Sequence, residues 1–348
     1  MTFLGRMSTP GTPLPGMSWS RLLVAPRPLV VIFLAFASFF LLLFYFRSIP
    51  PSPTPEPVVL SVAVPDPSTR YEPILIYNRI PKTASTTLMH LPYELCKTLG
   101  YNVLLLNITR PQHLLTLQDR VFFANNITQW QSKRPALYHG HFGYIDFDQM
   151  GLSGPSPIYI NMIRRPLDRL VSYYYFLRYG DDFRVNKIRS RMGDKMTFDE
   201  CVERKLGDCD PKKMWVQVPW FCGHFKKCWE PGNRWALEQA KFNLAHKYFL
   251  VGVTEELETF IQLLEMTLPR FFKGATQMFQ NSDAAQHIRK TKHKDIPSEQ
   301  TVNRMKETKV WKLENEFYEF AYSHFMALKS EFKQTKGIGM FHYEKIRP

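Results

Sequence analysis

The chain has 348 residues, 45% of them hydrophobic and 14% aromatic, so it can fill a substantial core in one large domain or two small ones. Forty-five Lys and Arg against 31 Asp and Glu leave a net charge of +14. That balance favours a polyanionic partner, which means nucleic acid, an anionic membrane surface or an acidic polysaccharide, and the compartment narrows the choice.

Residues 1–28 are rich in proline and basic side chains and read as a cytosolic tail. Leu29 to Phe46, LVVIFLAFASFFLLLFYF, runs 18 residues without a charge, close to the roughly 20 that a spanning helix needs. Tyr45, Phe46 and Arg47 are too bulky for a signal-peptide cleavage site. Arg6, Arg21 and Arg27 precede the span and only Arg47 closely follows it. The positive-inside rule then leaves everything after residue 46 in a lumen or outside the cell. A short, Phe-rich span suits the thinner bilayers of Golgi or ER. The sequons at Asn107 and Asn126 agree with a lumenal side. A lumenal chain does not normally meet nucleic acid, so the basic charge points to an acidic glycan. Residues 47–73 carry eight prolines and read as a stiff stem. The folded domain is then 74–348.

Strands and helices alternate from there. ILIYN (74–78) predicts a strand, 84–99 a helix, NVLLLN (102–107) a strand and 114–127 a helix. ALYHGH (136–141) and PIYINMI (157–163) predict strands, and a helix follows from Pro166 to Tyr179. A helix over 234–248 leads into the strand YFLVGV (248–253), with Thr254 as the N-cap of the next helix and Glu255 and Glu256 in its first turn. Residues 309–332 predict a long amphipathic helix. Apolar strands separated by helices imply an α/β fold: a central parallel sheet flanked by helices. Of five cysteines, Cys201 with Cys209 and Cys222 with Cys228 read as two short-loop disulfides, leaving Cys96. The rival is a metal site on Cys222, His224 and Cys228, but the paired CxxC spacing of a zinc site is absent.

Three constellations carry chemistry. In YNRIPKTASTT a strand hands over to a helix through a turn holding Lys82, Thr83, Ser85, Thr86 and Thr87. Free N–H groups at a helix start, one mobile ammonium and several hydroxyls suit an anion, although a capped helix start with a solvated lysine would look the same. The Walker pattern is absent and the turn has no glycine, which disfavours an ordinary nucleoside triphosphatase. Arg164 ends the strand PIYINMI, with Ser172 eight residues on, inside the next helix. An arginine there can fork onto a phosphate, with the serine reaching the ligand from the side. In YHGH, His139 and His141 are expected on one face of a strand with Gly140 between them. Such a pair suits a general base, a buried hydrogen-bonded pair or a metal pair.

A PKTAS-type turn after the first strand, paired with a strand-end arginine and a serine eight residues later, resembles the sulfotransferases that use 3′-phosphoadenosine 5′-phosphosulfate (PAPS). YNRIPKTAST, YHGH, LVSYYYFLRYGDD, TFDECV, FCGH, YFLVGVTEELE, LPRFF and ENEFYEFA are similar, in that order, to the heparan sulfate 2-O-sulfotransferase family over roughly residues 74–345. The resemblance implies a P-loop-kinase-like fold with Lys82, Thr83, Ala84, Ser85, Thr86 and Thr87 cradling the 5′-phosphosulfate. It implies Arg164 and Ser172 on the 3′-phosphate, with Thr291 and Lys294 closing over the nucleotide. It makes His141 the base with His139 assisting, Lys82 the stabiliser of the bridging oxygen, and no metal a participant. Heparan sulfate contacts are expected at Arg79, Tyr173, Tyr175, Arg178, Arg184, Arg189 and Arg289. A Golgi membrane anchor and a homotrimer built through the tail MFHYEKIRP are also implied. Arg165 stands where an acidic residue is expected, and QNSDAAQ matches poorly. The rivals are a uronyl 2-O-sulfotransferase acting on dermatan or chondroitin, a silent glycan-binding protein, and a glycosyltransferase using Asp146-Phe147-Asp148 as a DxD motif.

Overall fold

A computed structural model describes residues 72–106, 114–151, 156–181, 184, 186–281 and 291–337. The span at 29–46, the stem up to residue 71, the sequon at Asn107, Arg289 and the C-terminal tail lie outside the described residues. No helix among the described residues is long and apolar enough to cross a membrane.

Five strands, β1 (Ile74–Asn78), β2 (Asn102–Leu106), β3 (Ala136–Gly140), β4 (Ile158–Ile163) and β5 (Leu250–Val253), form one sheet in the order β2-β3-β1-β4-β5. Every pairing is parallel. The central strand β1 is buried at all five positions, as a two-faced parallel sheet requires. The helices are α1 (Ser85–Leu99), α2 (Leu117–Gln129), α3 (Pro166–Tyr179), α4 (Phe198–Glu203), α5 (Gln217–Cys222) and α6 (Arg234–Lys247). They continue with α7 (Leu257–Thr267), α8 (Pro269–Phe272), α9 (Ala275–Asn281), α10 (Glu299–Lys306) and α11 (Lys309–Gly337).

The register sets the site. Tyr77 of β1 stands beside His139 of β3 and Ile160 of β4, so the carboxyl ends of the three central strands open side by side. Ligands of open α/β sheets bind at that end. A buried polar cluster pins it: Asn161 Nδ2 donates to Asn78 O and Oδ1 at 2.9 Å, Tyr248 Oη donates to Asn78 Oδ1 at 3.1 Å, and Asn78 Nδ2 donates to Phe142 O at 3.3 Å. Gly140 is needed for close approach, because a Cβ there would lie 2.9 Å from Leu106 O.

Two expectations are corrected. β3 ends at Gly140 and His141 lies in the bend beyond it, so the two histidines do not share a strand face. Thr254 does not cap α7. A 3-10 turn, Thr254–Glu256, intervenes, Glu256 is the N-cap residue without a side-chain bond, and Thr254 Oγ1 donates to Glu255 instead.

Both short-loop disulfides are present, Cys201–Cys209 and Cys222–Cys228, and Cys96 is unpaired. The metal reading falls with them, since disulfide sulfurs have no thiolate to offer. His224 instead accepts from Leu115 N at 3.0 Å through Nδ1 and donates from Nε2 to Gly143 O at 3.1 Å. Burial, helped by the Arg120 charge, pushes its pKa down to about 4. A histidine depressed below its unfolded value makes the unfolded chain bind more protons between about pH 6.5 and 4, so stability falls as pH drops through that window. His224→Gln, which keeps an acceptor and a donor, is expected to reduce the stability lost between pH 7.5 and 4.5 by roughly 2–3 kcal/mol. Denaturant midpoints at pH 7.5 and 4.5 measure it, and equal losses in the two proteins would refute it.

Candidate active site

The turn between β1 and α1 replaces glycine with strain. Lys82 (φ 68°) and Ala84 (φ 52°) both adopt the left-handed conformation, at roughly 1–2 kcal/mol each. Thr83 turns inward, fully buried, and its hydroxyl donates to Ile80 O at 3.0 Å. It pins the turn from inside, and its side chain does not line the cavity beyond. Helix α1 has no side-chain N-cap, so its first-turn N–H groups and positive dipole end face that cavity.

The cavity is about 530 Å³. Pro81, Lys82, Ala84, Ser85, Thr86 and Thr87 form one wall; Arg164, Asp168, Ser172, Tyr173 and Phe176 form the other. His141, Thr254 and Glu255 complete it. Ser172 reaches in from the flank of α3, as expected. Asp168 and Phe176 stand one helical turn to either side of it, a spacing that sequence reading could have used.

Positive charge converges here. Lys82 Nζ sits 4.3 Å from the centroid of the Phe176 ring and donates to Thr291 Oγ1 at 3.3 Å. Arg164 Nη1 donates to Lys82 O at 3.3 Å, tying the two walls together. Thr291 forms an antiparallel bridge with Asp181, which brings the segment after residue 290 back over α3. Burial lowers the pKa of Arg164 despite the nearby Asp168 and Glu255 carboxylates. Partial burial and then the Arg164 charge lower that of Lys294. Cations held this close, in part desolvated, suit a multivalent anion between them.

His141 Nδ1 lies 2.7 Å from Arg79 O. A carbonyl only accepts, so Nδ1 carries the proton and Nε2 is the lone-pair nitrogen of the neutral ring. His139 differs. It is fully buried and does not line the cavity. Its Nδ1 is 3.1 Å from Arg79 Nη1, a donor, so its Nε2–H donates to Tyr93 Oη at 2.7 Å. Burial, then the charges of Arg79 and His141, push its pKa down to about 3. His139 therefore stays neutral near pH 7 and supports Arg79, whose carbonyl orients His141.

The expected glycan contacts divide. Tyr173 lines the cavity and is 37% exposed. Tyr175 does not: its buried hydroxyl accepts from Phe198 N at 3.2 Å and donates to Asp295 at 3.2 Å. Arg178 is also turned away, 2% exposed, ion-paired with Asp194 at 2.8 Å and Asp208 at 3.1 Å and stacked on Tyr174. Arg184 is exposed. Arg189 pairs with Asp181 at 3.6 Å and packs on Phe176, one residue group from the cavity. Arg165 is exposed and outside the lining, its backbone N–H bonded to Glu255. Asp146 and Asp148 of the DxD motif both pair with Lys247, at 3.9 and 2.7 Å. Among the described residues no group of three or more metal-ligating side chains converges.

A strained strand-to-helix turn suited to an anion, beside an oriented histidine, is an arrangement compatible with transfer of a group from an anionic donor. Residues 70–321 match the sulfotransferase family. Over 281 residues the chain is 50% identical to heparan sulfate 2-O-sulfotransferase 1 of Homo sapiens and of Gallus gallus, covering 79% of this chain and 78% of theirs. It is 49% identical over 277 residues to the heparin sulfate O-sulfotransferase of Drosophila melanogaster, covering 79% of each. The chain belongs to the sulfotransferase family, and it is an enzyme of that class.

Proposed function

We propose that this enzyme transfers a sulfuryl group from PAPS to the 2-hydroxyl of uronic acid residues, mainly iduronate, in heparan sulfate. The observation that carries the reading is His141: its Nδ1 is locked on Arg79 O, and the ring borders the same cavity as Lys82.

The residues present fit PAPS. The volume suits a nucleotide, and the uncapped helix, Lys82 and Arg164 answer its negative charges. Ser85, Thr86 and Thr87 with the turn backbone would hold the 5′-phosphosulfate. Arg164 and Ser172 would hold the 3′-phosphate, with Thr291 and Lys294 over the nucleotide. PAPS, when bound, supplies the sulfuryl group and leaves as adenosine 3′,5′-bisphosphate (PAP). His141 Nε2 would take the proton of the attacking hydroxyl. Lys82, oriented by Phe176 and Thr291, would place positive charge where it develops on the leaving phosphate. Tyr173, which lines the cavity, would meet the acceptor, whereas Arg79 lies outside the lining with its guanidinium on His139 and would act through His141.

The proposal sets the chain in the Golgi membrane as a single-pass type II glycoprotein, on the strength of the 29–46 span, the charge asymmetry and Asn126, which is exposed on α2. It includes a homotrimer and excludes nucleic acid as a partner.

The test is to incubate the enzyme with labelled PAPS and two acceptors, desulfated N-sulfated heparan and dermatan, and to analyse the disaccharides. Label at uronate O2 of the heparan acceptor is expected. Label on dermatan alone would make this a uronyl 2-O-sulfotransferase. Binding of both glycans without transfer would make it a silent binding protein.

A further inference from the structure

Glu314 lies in the second turn of α11, fully buried and away from the cavity lining. Its Oε1 accepts from the backbone N–H groups of Val216 at 2.8 Å and Val218 at 3.0 Å, at the start of α5. That start has no cap of its own, so the carboxylate of a distant helix serves. The residue between them is Gln217, also fully buried. Gln217 Nε2 donates to Glu314 Oε2 at 3.4 Å, and Gln217 Oε1 accepts from Arg164 N at 2.8 Å.

Arg164 is the first residue beyond β4, where the sheet no longer supplies a partner for its N–H. Pro166 follows two residues later and holds Arg165 out of the helical region, at φ −49° and ψ 128°. The direction in which the Arg164 side chain leaves the strand is therefore set by what grips its backbone, and Gln217 is that grip. From there Arg164 Nη1 reaches Lys82 O. Arg169, also buried, donates to Lys213 O at 2.9 Å and lies beside Glu314 as its counter-charge. Burial pushes the Glu314 carboxyl up to about 7 despite the Arg169 charge and the N–H groups that bond it, so holding it here costs stability that apolar residues of similar volume would not. A role in placing another residue accounts for it.

We propose that Gln217 and Glu314 are positioning residues for the nucleotide subsite: they aim Arg164 and so set the preference for a ligand bearing a 3′-phosphate. The inference rests on the assignment of Arg164 to that phosphate. It adds that the preference is controlled from α5 and α11, by two side chains that touch no substrate.

The test compares binding of PAP and adenosine 5′-monophosphate by calorimetry, because only PAP carries the 3′-phosphate. Gln217→Met keeps the volume and removes both side-chain bonds. It is expected to weaken PAP about tenfold and leave the monophosphate within about twofold. The exchanged pair Q217E/E314Q keeps one carboxyl and one amide in the cluster and a donor–acceptor match at every link, so PAP binding is expected to return to within about threefold of the parent. A merely structural role would lower both affinities together and would not be rescued by the exchange. Wild-type PAP binding in Q217M, equal losses for both nucleotides, or an exchanged pair no better than Q217M would each overturn the proposal. Should Q217M not fold, Gln217→Asn, one methylene short of Arg164 N, gives the same reading. Arg164→Ala separates the two layers. If it keeps the preference for PAP, the phosphate assignment itself is wrong. If it loses the preference while Q217M does not, only the positioning role fails.

Discussion

His141→Ala is expected to lower kcat by about 10²–10⁴-fold, the range for removal of a positioned general base, with heparan sulfate binding retained. The argument starts from one hydrogen bond. His141 Nδ1 donates to Arg79 O at 2.7 Å, which selects the tautomer with a basic Nε2 and fixes the plane of the ring. Arg79 is in turn fixed twice, by its backbone N–H on Gly140 O at 2.7 Å and by its guanidinium on His139. His139 thus acts at one remove. With its pKa pushed down to about 3, it does not titrate between pH 5 and 8 and contributes no limb to the pH–rate profile there. His139→Gln, which supplies an acceptor to Arg79 and a donor to Tyr93, is expected to cost no more than about tenfold and to leave the profile's shape unchanged. Steady-state rates of the two variants across pH 5.5–8.5 decide it. Near-normal turnover in the His141 variant with a large loss in the His139 variant would exchange their roles.

The difference between the two histidines shows where sequence reading reaches its limit here. Strand alternation predicts a shared face for positions two apart, and that holds only while the strand lasts. β3 stops at Gly140, one residue too soon, because the chain must bend there to carry Phe142 and Gly143 under the sheet's end. The five strands themselves were legible, since buried parallel strands are short apolar runs between helical patterns. So was the turn as a strand-to-helix junction rich in hydroxyl side chains, although its spacing alone did not separate an anion site from a plain capped helix start. Arg178 was misread for a local reason: six positions from Ser172 on one helix lies well round toward the opposite side, so both cannot face one cavity. Gln217 and Glu314 gave no signal at all. They lie 53 and 150 positions from Arg164 in a chain where only the fold brings them together. The short helices α4, α5, α8, α9 and α10 were missed because four to eight residues hold too few turns to show a period.

Two substitutions at Lys82 should move activity and stability in opposite directions. Lys82→Met keeps the length of the side chain over Phe176 and removes the charge. It is expected to reduce kcat about 10²–10³-fold, the loss typical of one preorganised electrostatic donor. PAP affinity should fall less, since Arg164, Ser172 and the α1 N-terminus bind other parts of the ligand. Lys82→Gly removes the same charge and also the strain of a side chain at φ 68°. Glycine adopts that conformation without penalty, so the folded state should gain about 1 kcal/mol relative to Lys82→Met while activity stays equally low. Denaturant titration of the parent and both variants, alongside single-turnover rates with labelled PAPS, measures the two effects on the same samples. A glycine variant no more stable than the methionine variant would remove the claim that the turn stores strain. A methionine variant with parental turnover would remove Lys82 from the chemistry and leave it as a binding residue. The expected pairing, a more stable turn that no longer transfers sulfate, would mean that the left-handed lysine is kept for where it puts its ammonium and against the preference of its backbone.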